Sequence, residues 1–196
     1  MLEARDLTFA YPGAAPVLQG VSLCVAPGER VALTAPSGRG KTTLCQLLAG
    51  YLQPARGQVL ADGAPLPTRG ACPVQMIWQH PERVLDPRLT LGRSLEQAGA
   101  PQQRVVEALG IRPQWMSRYP HELSGGELQR FCIARALGAS PRYLIADEVS
   151  TMLDAVTQAQ LWGFLLEEQQ RCGFGMLLVT HAPQLQELLA TRVVEL

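Results

Sequence analysis

The chain has 196 residues, 47% of them apolar and 17% charged, and its formal net charge is zero. That length and apolar content suit one domain able to bury a sizeable core and exclude a disordered chain. The neutral balance leaves no basic footprint for nucleic acid, and no apolar run nears the roughly 20 residues that span a bilayer.

The opening Met1–Asp6 lacks the apolar stretch of a secretory leader, so a soluble, intracellular chain is expected unless something tethers it to a membrane. The arginines are interspersed with acids, as in Arg104/Glu107 and Arg130/Glu127. The five cysteines, at positions 24, 45, 72, 132 and 172, show no paired spacing. That pattern predicts reduced, mostly buried thiols and no structural metal site.

In chain order, β-type runs come first, at Leu7–Tyr11, Val17–Val25 and Arg30–Thr34, with Gly13, Gly20 and Pro27-Gly28 as turns. The third run opens into Ala35-Pro36-Ser37-Gly38-Arg39-Gly40-Lys41-Thr42-Thr43, followed by the helix-like Leu44–Ala49. Lys41 is the one lysine in a chain whose other 16 basic residues are arginine. A glycine turn ahead of a helix aims backbone N–H groups at phosphate oxygens. Lys41 adds a compact ammonium that can reach terminal phosphates, and the Thr42 hydroxyl is placed to ligate Mg²⁺. The run therefore reads as a nucleoside triphosphate site. Ala35 stands where the pattern usually has its first glycine, and its methyl group is costly only if φ is positive there.

Pro54–Gly57 then breaks to a strand at Gln58–Ala61 and the turn Asp62-Gly63, and a further apolar run, Val74–Trp78, ends at Gln79. From about Leu89 to Leu137 the period becomes helical, most clearly at Arg104–Leu109 and Glu127–Leu137. Leu123-Ser124-Gly125-Gly126-Glu127 sets a serine and paired glycines ahead of the latter segment, a second anion-binding helix terminus. Tyr143–Ala146 reads as a buried strand that ends in two carboxylates, Asp147 and Glu148. The first can hold Mg²⁺ through water, and the second can orient and deprotonate an attacking water.

An amphipathic helix follows over Thr157–Gln170, with Glu167, Glu168 and the neighbouring glutamines on a solvated face. The last buried strand, Met176–Thr180, ends at His181, which can sense or position a γ-phosphate. His80 and His121 match no catalytic position and read as structural or partner-facing, and Trp78, Trp115 and Trp162 as packing. Buried strands alternating with helices imply an α/β fold whose mainly parallel sheet is covered on both faces. A helical insertion interrupts it between about residues 80 and 140.

Together these stretches resemble, almost end to end, the nucleotide-binding subunits of ATP-binding cassette (ABC) transporters. The resemblance implies a P-loop NTPase (RecA-like) core, an N-terminal antiparallel β subdomain and an inserted α-helical subdomain. Residues 1–196 would form a single ABC ATPase domain, with its core at 1–79 and 141–196 and the helical subdomain at about 80–140.

The resemblance also implies roles for individual residues. Tyr11 corresponds to the aromatic that stacks on adenine, and Pro36, Ser37, Gly38, Arg39, Gly40, Lys41, Thr42 and Thr43 to the Walker A loop. Gln79 corresponds to the Q-loop glutamine near Mg²⁺ and the transmembrane partner. Ser124, Gly125, Gly126 and Glu127 belong to the signature motif. Asp147 is the Walker B carboxylate, Glu148 the catalytic base, Asp154 with Leu153 the D-loop, and His181 the switch histidine. Thr42, Gln79 and Asp147 would hold the metal. ATP and Mg²⁺ are thus the implied cofactors. A second ABC ATPase subunit, identical or related, is implied because the signature motif of one copy closes the cradle of the other. Glu127 replaces the common glutamine of that motif, and Val149–Met152 departs from the family's commonest residues.

Gln79–Glu82, Leu85–Leu91 and Ser150–Gln160 resemble the peptide/nickel importer branch, including importers of metal–opine complexes. That resemblance implies the ATPase subunit of an importer, peripheral at the cytoplasmic side of the cell (inner) membrane. Its partners would be transmembrane permease subunits and, indirectly, an extracytoplasmic solute-binding protein, with no nucleic acid. Two alternatives stay open: a soluble non-transport ABC ATPase like the accessories of phosphonate breakdown, and a regulatory module that binds ATP without turnover.

Overall fold

The computed structural model describes residues 1–151 and 153–196; Met152, part of the stretch that departs from the family's commonest residues, lies outside the described residues. Strands β1 (Leu2–Phe9) and β2 (Leu18–Val25) come first, then β3 (Arg30–Thr34) and helix α1 (Lys41–Leu48). Strands β4 (Arg56–Ala61) and β5 (Ala64–Pro65) join the first two in an antiparallel sheet of order β2-β1-β4-β5. Strand β6 (Val74–Ile77) is followed by helices α2 (Leu91–Gln97), α3 (Gln103–Ala108) and α4 (Gly125–Gly138). The chain continues through β7 (Tyr143–Asp147), α5 (Ala155–Cys172), β8 (Gly175–Val179), α6 (Pro183–Leu189) and β9 (Arg192–Glu195). The second sheet is parallel throughout, in the order β6-β7-β8-β3-β9.

Apart from the exposed edge strand β9, the parallel strands are largely buried on both faces, and their alternating side chains feed two separate cores. Leu144, Ala146, Met176 and Leu178 point into one core with Phe131, Ile133 and Leu165 of the helices. Tyr143, Ile145, Leu177 and Val179 point into the other, with Leu44 and Leu48 of α1 and Leu2 and Leu7 of β1. This two-sided burial is why β7 and β8 read as continuous apolar runs. Helices α2–α4 lie between β6 and β7 in the chain, and α4 packs against β6 and α2.

The first strand runs over Leu2–Phe9 rather than the expected Leu7–Tyr11. Its inward residues are Leu2, Ala4, Leu7 and Phe9, and the break between Ala4 and Leu7 is a register shift against β2. Asp6 sits there with φ 51°, so one extra residue disrupts the two-residue alternation. Across the ladder, β4 passes so close that a Cβ at Gly57 would lie 2.3 Å from the Arg5 carbonyl oxygen.

Two further expectations are corrected. Glu168 is not on a solvated face: its side chain is buried and paired with Arg104 and Arg171, because this part of α5 turns toward α3. Glu167 is exposed. Arg104 thus pairs across to α5 and not with the nearby Glu107. Glu107 accepts from Gln103 and Arg130 donates to the Leu109 carbonyl, each satisfied within the helical insertion. The thiols are not mostly buried either, since Cys45 and Cys132 are enclosed, Cys72 is half-buried, and Cys24 and Cys172 are exposed.

The tryptophans pack as expected. Trp162 is buried with its Nε1–H donated to Ser150 Oγ, Trp115 lies beneath the Arg112 guanidinium, and Trp78 meets Tyr51 edge-on. His80 lies 3.2 Å from Glu82 and His121 stacks on Tyr119. Among the described residues no helix is long and apolar enough to cross a membrane.

Candidate nucleotide site

Strand β3 ends at Thr34, and the next six residues turn the chain into α1. Gly38 and Gly40 take φ values of 79° and 90°, the left-handed region that glycine enters without cost. Gly40 is the N-cap of α1, and a Cβ there would lie 2.8 Å from Val17 Cγ1. Ala35 is outside the positive-φ region, so the methyl group that replaces the usual glycine sits in backbone any residue can adopt.

Lys41 opens the helix with its side chain folded back over this loop. Its Nζ donates to the carbonyl oxygens of Ala35 (2.7 Å) and Pro36 (3.2 Å), and the residue is only 7% exposed.

At the neighbouring strand ends, β7 delivers Asp147 and β8 leads to His181. Asp147 is 2% exposed, and its Oδ1 is buried without a hydrogen-bond partner among the described residues. Burial pushes its carboxyl above the usual range, the adjacent Glu148 adding to the rise while Thr42, Lys41 and His181 oppose it. Glu148 follows in a strained left-handed conformation, φ 49°, anchored by its N–H to the Val179 carbonyl at 2.9 Å. This turn aims the carboxylate out of the strand line. Its Oε2 accepts from Gln79 Nε2 at 2.8 Å, and its Oε1 lies 2.9 Å from His181 Nε2.

Tyr11 lies beyond the end of β1 and is 41% exposed. It stands edge-on to Phe9 with ring centroids 4.9 Å apart, and its hydroxyl is 3.1 Å from Thr43 Oγ1.

These elements border one open cleft of about 370 Å³, whose lining includes Tyr11, Ser37, Gly38, Lys41, Thr42 and Glu148, with Gly40, Thr43 and His181 also on its wall. Two larger cavities, each of about 610 Å³, lie away from these groups. Pro36 contributes its carbonyl, and Arg39 is exposed beside the cleft without lining it. Gln79 reaches the site through Glu148.

The remaining predicted residues stand apart from the cleft. Ser124 caps α4 and forms a closed box with Glu127: its N–H and Oγ–H donate to Glu127 Oε2 at 2.9 and 2.7 Å, and its Oγ accepts from the Glu127 N–H. These bonds hold the Glu127 carboxyl below its ordinary range. Gly125 and Gly126 form the first turn of the same helix. Asp154 caps α5, accepting from the Val156 and Thr157 N–H groups at 3.1 Å and from Thr157 Oγ1 at 2.6 Å, which likewise keeps its carboxyl low.

Sequence reasoning missed the Ala35 and Pro36 carbonyls, which carry no side-chain signal. It also missed Gln129, a buried amide on α4 that donates to the Trp78 carbonyl at 3.2 Å. A polar residue at an inward position of an apolar helix was the available sign.

The Asp147 carboxylate has an oxygen free of partners beside the Thr42 hydroxyl, so the residues fit a hard, oxygen-seeking cation. Among the described residues no cluster of three or more His, Cys, Asp or Glu side chains could hold a metal. The donor set suits a magnesium ion that brings its own phosphate and water ligands.

Residues 18–151 match the family model described as ABC transporter. The chain belongs to the ABC transporter family. Its expected fold class, an α/β P-loop NTPase with a parallel and an antiparallel sheet and added helices, is borne out by solved members. It superimposes on a structure described as the ATP-binding subunit of an ABC transporter with a TM-score of 0.86 at 28% identity, covering 100% of this chain and 85% of that one. The dimeric ATP-binding cassette MJ0796, in a post-hydrolysis state bound to ADP and Pi, gives 0.85 at 22% identity over 100% and 94% of the two chains, a likeness of fold.

Among sequences, it is 35% identical over 195 residues to the glutathione import ATP-binding protein GsiA of Salmonella choleraesuis (strain SC-B67), covering 90% of this chain. It is 36% identical over 199 residues to a protein of Brucella ovis provisionally named a peptide import ATP-binding protein, covering 92% of this chain. The chain spans only 31% and 63% of the lengths of these two relatives.

Proposed function

We propose that the cleft binds ATP with Mg²⁺ and that the chain hydrolyses it as the ATPase subunit of an importer. The observation that carries the reading is the Glu148 carboxylate, held between Gln79 and His181 at the rim of the cleft that Lys41 lines.

The chemistry follows from the chain's own groups. In the cleft Lys41 rests on two neutral carbonyls, and anionic phosphate oxygens are stronger acceptors for an ammonium. The turn before α1 presents backbone N–H groups and the positive end of the helix to the same oxygens. Tyr11 offers a half-exposed ring for the base to stack on. Thr42 and Asp147, with Gln79 nearby, would hold Mg²⁺, which supplies charge neutralisation on the phosphates. Glu148 takes the proton of the attacking water as general base, while Gln79 and His181 fix its two oxygens.

Ser124, Gly125, Gly126 and Asp154 lie outside their own chain's cleft, which supports a second ABC subunit that receives them across a shared nucleotide. Residues 1–196 are read as one such ATPase domain, with the helical subdomain at about 80–140. Membrane permeases would be its partners, with a solute-binding protein acting through them, and it would sit peripherally at the cytoplasmic face of the inner membrane. The relatives named for glutathione and peptide import favour a small peptide-like solute, with nickel or a metal–opine complex as the other members of the branch.

Glu148→Gln tests the site. It should bind ATP within a few-fold of the parent, lose on the order of 100-fold or more in turnover, and accumulate as a nucleotide-bound dimer. Normal turnover would refute the base assignment. Recovery of the chain with a permease from membranes tests the importer role; a chain that hydrolyses ATP and never associates with a permease is a non-transport ATPase.

A further inference from the structure

A residue other than glycine stays in the left-handed region, as Glu148 does, only where its surroundings over-determine it. On the upstream side the restraint is the bond from the Glu148 N–H to the Val179 carbonyl at 2.9 Å. On the downstream side the Glu148 carbonyl accepts from the Thr151 N–H at 3.3 Å and from the Thr151 hydroxyl at 3.1 Å, which closes a turn over residues 148–151. These last two bonds are internal to the turn, so they set its shape and not its place.

The outside anchor is Ser150, two residues beyond Glu148 and only 4% exposed. Its Oγ accepts from Gln158 Nε2 at 2.7 Å and from Trp162 Nε1 at 3.1 Å. A hydroxyl oxygen has two lone pairs, and both are taken here, so the atom is held from two directions. Gln158 Nε2 also reaches the Ser150 carbonyl at 3.4 Å. Both donors belong to α5 and stand four residues apart, on one face of the helix. Leu161 and Leu165 seat that helix in the core. An apolar residue at position 150 would leave the buried indole N–H without an acceptor, a cost that packing alone gives no reason to risk.

We propose that Ser150, anchored by Gln158 and Trp162, is the positioning residue that keeps Glu148 left-handed and so aims its carboxylate at the attacking water, a role that rests on the reading of Glu148 as general base. None of the three side chains lines the nucleotide cleft. Their effect therefore falls on turnover and not on the binding of ATP. With the anchor gone, the turn is free to leave its strained backbone, and the carboxylate swings toward the line of β7 and away from Gln79 and His181.

The test uses three variants of the full chain. Trp162→Phe keeps an aromatic ring and removes the N–H. Ser150→Ala removes the shared acceptor and leaves the indole donor unpaired. Ser150→Ala/Trp162→Phe removes acceptor and indole donor together. In Ser150→Ala, Mg-ATP turnover should fall about tenfold or more while affinity for a fluorescent ATP analogue stays within about twofold of the parent. Without nucleotide, the Glu148 and Thr151 amides of the same variant should exchange about tenfold faster or more. Trp162→Phe should lower turnover in the same sense and by less, since Gln158 remains. The double variant separates positioning from stability: its Tm should rise above that of Ser150→Ala, because no indole N–H is left unpaired, while its turnover stays low.

Unchanged turnover or unchanged exchange in Ser150→Ala overturns the proposal. So does a double variant whose turnover recovers along with its Tm, which would make the cluster merely structural. An equal loss of analogue affinity overturns it too, by placing Ser150 in the cradle. If Trp162→Phe, the mildest change, does not fold, the cluster is structural and the proposal falls. A parent that neither binds the analogue nor turns over ATP defeats the ATP reading instead, and the exchange measurement, which needs no nucleotide, still decides whether Ser150 holds the turn.

Discussion

Gly40→Ala and Gly38→Ala form a pair that separates two reasons for glycine in the same loop. Both residues have positive φ, 90° and 79°. An alanine in that region costs about 1–2 kcal/mol. A Cβ at Gly38 meets nothing within 4 Å, so Gly38→Ala should incur only that cost. At Gly40 the Cβ would lie 2.8 Å from Val17 Cγ1 and 3.0 Å from Leu18 Cδ2. Overpacking adds about 1–3 kcal/mol, giving a total of about 2–5 kcal/mol by addition of the two ranges. For a domain of this size each kcal/mol lowers Tm by roughly 2–4 °C. Gly38→Ala should therefore cost about 2–8 °C, and Gly40→Ala clearly more. Urea denaturation with an unchanged m-value confirms that the change is one of stability. Trimming the obstacle in the double variant Val17→Ala/Gly40→Ala should recover most of the difference, a coupling that independent sites do not show. Equal destabilisation by Gly38→Ala and Gly40→Ala, or a double variant that is simply additive, would refute the steric reasoning.

Ala35→Gly should not tighten nucleotide binding by more than about twofold, and should lower stability by about 0.4–1 kcal/mol by loosening the unfolded chain; isothermal titration with Mg-ATP alongside denaturant melts checks both, and a fivefold gain in affinity would contradict the backbone placement. Asp147→Asn should raise Tm without nucleotide while weakening Mg-ATP binding, because burial makes the folded state hold a proton there more readily than the unfolded chain and the ionised form opposes folding at neutral pH; a lower Tm would sink the argument. Glu168 works in the opposite direction. Burial raises its pKa, but the bonds from Arg104 and Arg171 outweigh that and leave it below the usual carboxylate range. Its stabilisation is thus present above the unfolded pKa and lost as pH falls through the folded value, so Glu168→Gln should flatten the acid limb of a Tm-against-pH curve.

The difference between what could and could not be read from the chain is one of range. The local side-chain signals of the site were visible: the glycine turn before α1, the serine and glycines before α4, and the two carboxylates at the end of β7. Each lies within a few residues of the element that displays it, and local backbone chemistry is enough to interpret it. β7 and β8 were equally plain, because burial on both faces leaves no polar position in Tyr143–Ala146 or Met176–Val179, whereas the exposed edge strand β9 carries no such run and was not foreseen. β1 was misplaced because the bulge at Asp6 breaks the alternation on which strand reading depends. Glu168 was misread for a related reason: helical periodicity shows that a face is polar, but not that Arg104, 64 residues away, meets it there. The functional consequence is sharpest at Glu148. Its partners Gln79 and His181 come from different strand ends, and its own φ of 49° is invisible in the sequence. A carboxylate at the end of an extended strand would continue the line of the sheet. The left-handed turn makes this one face the cleft instead, so the strain at a single residue turns a buried strand end into a candidate base.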